Sequence, residues 1–135
     1  MFEVRLILKY TLIVTGSIYG SQSARNAYLF SKALIHRGHI LHDVFFYQNG
    51  VLNASSLTAP ENDDFDLVLA WQKLAVAHKV KLEVCFSAAL RRGIVGKNEA
   101  KRYQLSTSNL AKHFEQVGLG TLAEAILIQD RVIQF

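Results

Sequence analysis

Val80-Lys81-Leu82-Glu83-Val84-Cys85-Phe86, continued by Ser87-Ala88-Ala89-Leu90-Arg91-Arg92-Gly93, is the stretch that decides the fold. An apolar run ends in a cysteine and passes directly into helix formers closed by a glycine. Residues 82–85 read as a buried β-strand, and the segment after them as a short helix. Cys85 is the only cysteine in the chain. In open α/β sheets the ligand site lies beyond the carboxyl ends of the strands, which is where this order puts it. A free thiol has a pKa of about 8.5, and the positive end of a helix dipole favours its thiolate. Free cysteine is also among the most buried residue types. Position alone leaves both a reactive thiol and a packed core cysteine open.

Working outward, residues 9–15 form a short, β-branched apolar run stopped by Gly16, a buried strand. The turn Gly16-Ser17-Ile18-Tyr19-Gly20-Ser21 leads into a helix over about 21–37, with Ala24, Ala27, Phe30 and Leu34 at helical spacing and Gly38 as its C′ residue. Residues 40–47 give a second strand, buried at Val44-Phe45-Phe46-Tyr47. Gln48-Asn49-Gly50 reads as a turn, and 51–62, with the only proline, Pro60, as a loop. Asp63 or Asp64 caps the next helix, whose apolar stripe is Leu67, Val68, Trp71, Leu74 and Ala75. Farther on, Ser106-Thr107-Ser108 precedes a helix carrying Leu110, Ala111, Phe114 and Val117 and ended by Gly118. Thr121-Leu122-Ala123-Glu124 has the capping-box form and starts a last helix. Residues 131–135 close the chain as a strand. Strands alternating with helices predict a parallel sheet covered on both faces.

The chain has 135 residues, half of them hydrophobic and 19% charged, which suits one globular domain with a sizeable core. That charged fraction is below the roughly one quarter usual for such domains and hints at surface hidden in an oligomer. The formal charge of +4 comes from 15 Lys and Arg against 11 Asp and Glu. Its one dense cluster, residues 97–102 with Arg91 and Arg92 before it, reads as a solvated face. Without aromatic interleaving it does not read as a nucleic-acid surface. A single cysteine excludes an intrachain disulfide, a CxxC redox pair and a thiolate-rich zinc site. The opening is apolar but broken by Glu3, Arg5 and Lys9, no signal peptide, and no run is long enough to span a membrane. A cytoplasmic protein is expected.

Other constellations carry less. The 16–21 turn could cradle an anion at a helix N-terminus, but it is neither GxGxxG nor a Walker motif. A plain strand-to-helix turn accounts for it better, and one wall of a pocket around Cys85 is the intermediate reading. His36, His39 and His42 invite a metal, yet Gly38 breaks the helix between the first two and an extended segment points the last two to opposite faces. His78 and His113 stand alone on helices. A cysteine hydrolase needs a base beside its nucleophile, and no histidine stands at a telling position. A lone thiol suits instead a persulfide passed from protein to protein. Ser87 is the natural cap of the helix behind it.

These segments together resemble the DsrE/TusD family of sulfurtransferases, over nearly the whole chain from about residue 9. The marks are Ile13-Val14-Thr15-Gly16 with Tyr19-Gly20, Val44-Phe45-Phe46-Tyr47 with Gly50-Val51, and Asp64-Phe65-Asp66-Leu67-Val68 with Ala70-Trp71-Gln72. They continue through Cys85 with Ala88-Ala89-Leu90-Arg91-Arg92-Gly93, then Ser108-Asn109-Leu110, Gly118-Leu119-Gly120 and the closing Asp130-Arg131-Val132-Ile133-Gln134-Phe135. The resemblance implies a three-layer α/β/α, DsrE-like and Rossmann-like fold around a mainly parallel sheet. It implies one domain over 1–135, with 1–8 as an N-terminal extension. It implies a persulfide on Cys85, no cofactor and no metal. It also implies a heterohexamer with TusB-like and TusC-like subunits, a TusA-like donor and a TusE-like acceptor, with the sulfur ending in 2-thiouridine at the tRNA wobble position. The DsrE proteins of sulfur oxidisers share that architecture. An assembly subunit in which Cys85 merely packs is the remaining alternative.

Overall fold

In the computed structural model, which describes residues 6–135, five strands form one sheet: β1 Lys9–Val14, β2 Ile40–Phe46, β3 Lys81–Cys85, β4 Phe114–Val117 and β5 Arg131–Gln134. Their order is β4-β3-β2-β1-β5, and every neighbouring pair is parallel. The sheet is therefore wholly parallel. Most of the expected extension, residues 1–5, lies outside the described residues. Leu8 is already tied in, its carbonyl accepting from Ile40 N–H at 2.9 Å and its N–H donating to His39 Nδ1 at 3.1 Å.

Strand alternation divides the side chains between two faces. Leu12, Val14, Val44, Phe46, Leu82 and Val84 point to one face and are all buried. Helices α1 Ser23–His36 and α2 Leu67–His78 cover it. Trp71 stacks edge-on against Phe46 at 5.3 Å and Tyr28 at 5.5 Å, while Tyr10 meets Phe30 at 6.1 Å. Thr11, Asp43, Phe45, Glu83 and Cys85 point to the other. Helix α5 Leu119–Ile128 joins β4 at one edge to β5 at the other, so it must cross the sheet. A right-handed crossover puts it over that second face. The layers are thus α1 and α2, sheet, and α5.

Local chemistry explains most boundaries. The Asp66 carboxylate accepts from Leu69 N–H at 3.1 Å and caps α2, the role expected of Asp63 or Asp64. All five expected stripe residues of α2 are buried. Residues 48–54 form a 3₁₀ helix rather than a turn and loop. Gly50 within it packs on β1 so tightly that a Cβ would strike the Val14 carbonyl.

Two expectations fail between residues 96 and 129. The helix expected around 108–117 is instead strand β4 preceded by an irregular segment. Leu110, Ala111, Phe114 and Val117 are spaced like a helical stripe, but Leu110 bridges Ser55, His113 is left-handed with φ 75°, and Phe114 packs on Phe46 at 5.5 Å. Pairing with β3 outweighs the local pattern. The helix here lies earlier, α4 Lys97–Arg102. Gly118 then serves as N-cap of α5, which begins before the expected capping box.

Candidate functional site

Cys85 is the last residue of β3 and the N-cap of α3, Phe86–Arg91. Its side chain makes no capping hydrogen bond. Ser87, the expected cap, lies inside the first turn and caps nothing. Gly93, with φ 73°, lets the chain turn sharply after α3, and Ile94 N–H closes on Ala89 O at 2.9 Å.

The thiol is only 3% exposed. It nevertheless forms part of the wall of a cavity of about 430 Å³, shared with Tyr47, Gln48, Ser87, Ala88, Arg91, Arg92 and Leu119. Among the described residues no carboxylate lines it. The two guanidiniums differ. Arg92 Nε donates to Asn49 Oδ1 at 2.9 Å and one of its Nη groups to Ala88 O at 3.2 Å, pinning α3 to the 3₁₀ helix. Arg91 is exposed and makes no such bond among the described residues. The cavity therefore brings together a thiol, a guanidinium held by hydrogen bonds and an exposed guanidinium.

On the same face of the sheet as Cys85, but starting level with the beginning of β3, lies a buried polar row. Thr11 Oγ1 donates to Asp43 Oδ1. The register of β1 on β2 slips between Tyr10 and Thr11, passing over His42, and this slip brings Asp43 opposite Thr11. Glu83 lies within hydrogen-bonding reach of Asp43, and among the described residues its Oε1 has no partner. Burial first, then the Asp43 hydrogen bond and charge, push the Glu83 carboxyl up to about 8, with Lys81 opposing and Glu115 assisting. Sequence reading passed over this row, whose one signal is acidic residues interrupting two buried strands.

The other candidates are not brought to Cys85. The 16–21 loop lines a separate cavity with Arg25, Asp64, Phe65 and Leu67. Asn53 also stays out of the thiol cavity. It is fully buried, donating to Gly16 O at 3.2 Å and Gly50 O at 2.9 Å and accepting from Trp71 Nε1 at 3.3 Å. His36, His78 and His113 are exposed, the last in a turn rather than on the expected helix. Among the described residues no cluster of His, Cys, Asp and Glu could hold a metal. No described helix is long and apolar enough to cross a membrane.

The fold is that of a parallel-sheet α/β protein, with its one cysteine at a strand's carboxyl end in the wall of a cavity shared with two arginines. The DsrE/DsrF-like family model matches residues 8–135. The sulfurtransferase TusD homolog of Vibrio cholerae serotype O1 is 62% identical over 128 residues, covering 95% of this chain and 98% of that protein. Sulfurtransferase TusD of Photorhabdus laumondii is 53% identical over the same shares. The crystal structure of the ychN protein from E. coli superposes with a TM-score of 0.76 over 96% of this chain and 100% of that one; at 22% identity it shows the shared fold alone. The chain belongs to the DsrE/DsrF-like family and is a sulfurtransferase with a part in sulfur relay.

Proposed function

We propose that Cys85 is the sulfur carrier, taking a persulfide sulfur from a TusA-like donor and handing it to a TusE-like acceptor. In the first step the Cys85 thiolate attacks the outer sulfur of the donor persulfide. The donor's S–S bond breaks, its thiolate leaves, and Cys85 holds the S–S⁻ anion. In the second step the acceptor thiolate attacks that outer sulfur and Cys85 leaves as thiolate. Electrons and charge balance in both steps without a cofactor. The observation that carries this reading is the position of the chain's one thiol in the wall of a cavity with two arginines and, among the described residues, no carboxylate. Those cations suit every anion along the path.

By the same reading the relay ends in 2-thiolation of the tRNA wobble uridine, in the cytoplasm, and the chain works within a heterohexamer with TusB-like and TusC-like subunits. It touches neither tRNA nor membrane directly. Sulfur trafficking of the kind found in sulfur metabolism would use the same chemistry. The test is intact mass after incubation with a persulfide-loaded carrier protein. One added sulfur is expected in the wild type and none in Cys85→Ser. Equal labelling of the two would sink the reading. One observation favours a second reading, the burial of the thiol: an assembly subunit whose Cys85→Ser variant supports undiminished sulfur flux in the reconstituted complex.

A further inference from the structure

Helix α2 turns one face to the sheet, burying Leu67, Val68, Ala70, Trp71, Leu74 and Ala75. Leu69, Lys73 and Val76, spaced four and three residues apart, share the opposite face. Leu69 is 44% exposed there and Val76 63%. Two grooves meet at Leu69 and Gln72. The first, of about 390 Å³, extends toward the helix C-terminus and is lined by Lys73, Val76, Lys112 and His113. The second, of about 200 Å³, extends toward the N-terminus and is lined by Asp66, Ser55 and Ser56. Among the described residues no carboxylate lines the first and no Lys, Arg or His lines the second. Acid at the start of a helix and base farther on suit its dipole. The dipole does not call for two aliphatic side chains left in water on the same face.

Asp66 and Lys73 are seven residues, or two turns, apart, so they lie nearly in line along α2 with roughly 10.5 Å of rise between them. The middle of that span falls beside Leu69. A second α2 laid antiparallel on this face, about a two-fold axis at that middle, brings Lys73 opposite Asp66 of the second copy and Asp66 opposite its Lys73. The two Leu69 side chains then meet at the axis. An isologous contact needs a patch that complements itself in this way. We propose that the outer face of α2 is a docking surface for a second copy of this chain, paired antiparallel through Asp66, Leu69 and Lys73. The Asp66 Oδ1 already caps α2, and a carboxylate has a second oxygen to offer. Helix α2 lies on the face of the sheet away from Cys85, so the pairing leaves the thiol cavity open and does not rest on the sulfur-carrier reading. One helix face with its grooves is small beside the roughly 800 Å² per partner of a stable interface. The dimer therefore depends on concentration and on salt.

The experiment is sedimentation velocity on the full chain from about 10 μM to about 1 mM, the range of a small interface. Wild type should pass from monomer to dimer, and added salt should shift the transition to higher concentration. Lys73→Glu sets like charges against Asp66 at both ends of the pair and should weaken the dimer several-fold. Asp66→Asn keeps the helix cap but loses the charge, and should weaken it less. Leu69→Glu should abolish it. Lys101→Glu, the same change of charge on α4, should leave it as it is. A monomer at every concentration overturns the proposal and leaves this face to a different partner. A dimer or larger assembly untouched by Leu69→Glu and Lys73→Glu overturns it equally. A second measurement stands if those variants do not fold. A residue at a two-fold axis faces its own counterpart, so Leu69→Cys should form a disulfide between two chains under mild oxidation. Lys101→Cys should not, and Cys85 is buried and does not compete. Equal cross-linking of the two variants would sink the idea.

Discussion

Asn53 joins three elements through one amide: the loop after β1, the 3₁₀ helix and, through Trp71, α2. Replacing it by alanine leaves two carbonyls and an indole N–H in the core without that partner. Asn53→Ala should cost roughly 1–3 kcal/mol for each group left unsatisfied, with relaxation reducing the sum. A urea midpoint lowered at constant m-value would show it; an unchanged midpoint would mean that water replaces the amide. Arg91 behaves otherwise. It is exposed and makes no side-chain hydrogen bond among the described residues, so Arg91→Ala should leave the midpoint within about 0.5 kcal/mol of wild type. Persulfide transfer to Cys85, measured by mass, should slow in the same variant. At this scale the sequence was readable for Cys85, whose place at a strand end follows from the apolar run before it. Asn53 was not readable, because a buried amide looks like any loop asparagine until its three partners are assembled.

Among the elements, the 3₁₀ helix and β4 carry the lesson. The 3₁₀ helix forms where sequence suggested a turn and loop, since Gly50 packs against Val14 and Arg92 bonds Asn49 from α3. Gly50→Ala drives a methyl group into the Val14 carbonyl, and overpacking of this kind costs roughly 1–3 kcal/mol. Thermal unfolding would report it. If the Tm stayed put, the close approach would be softer than the backbone positions indicate. Strand β4 has only four residues, and Phe114 alone of them is buried. So short a strand writes no alternation that a sequence can display, and its neighbours happen to mimic a helical stripe. The long elements α1, α2, β1 and β2 were all legible, because each buries one face and shows the period of its own geometry.

For the whole molecule, the Glu83 proton enters the stability. In the unfolded chain Glu83 ionises near its ordinary 4.5, and in the folded chain at about 8. Between those values the folded state keeps a proton that the unfolded state has released. Its contribution is therefore present in full below about pH 4.5 and is lost as pH rises through about 8. Denaturation midpoints taken across this window should fall with pH, and the fall should flatten in Glu83→Gln. An equal slope in the variant would assign the effect to another group. Trp71, fully buried between Phe46 and Tyr28, reports on the core. Its fluorescence should change in step with far-UV circular dichroism, as a single cooperative domain requires. Separated transitions would break that expectation.

The sequence by itself determined the class of fold, the strand that ends at Cys85 and the family, because those depend on local period, on turn residues and on the order of segments along the chain. Tertiary structure alone decided strand β4, the cavity around the thiol and the Thr11–Asp43–Glu83 row. Each of these is made by residues far apart in sequence, and their burial, pairing and charge exist only once the sheet has brought them to one face.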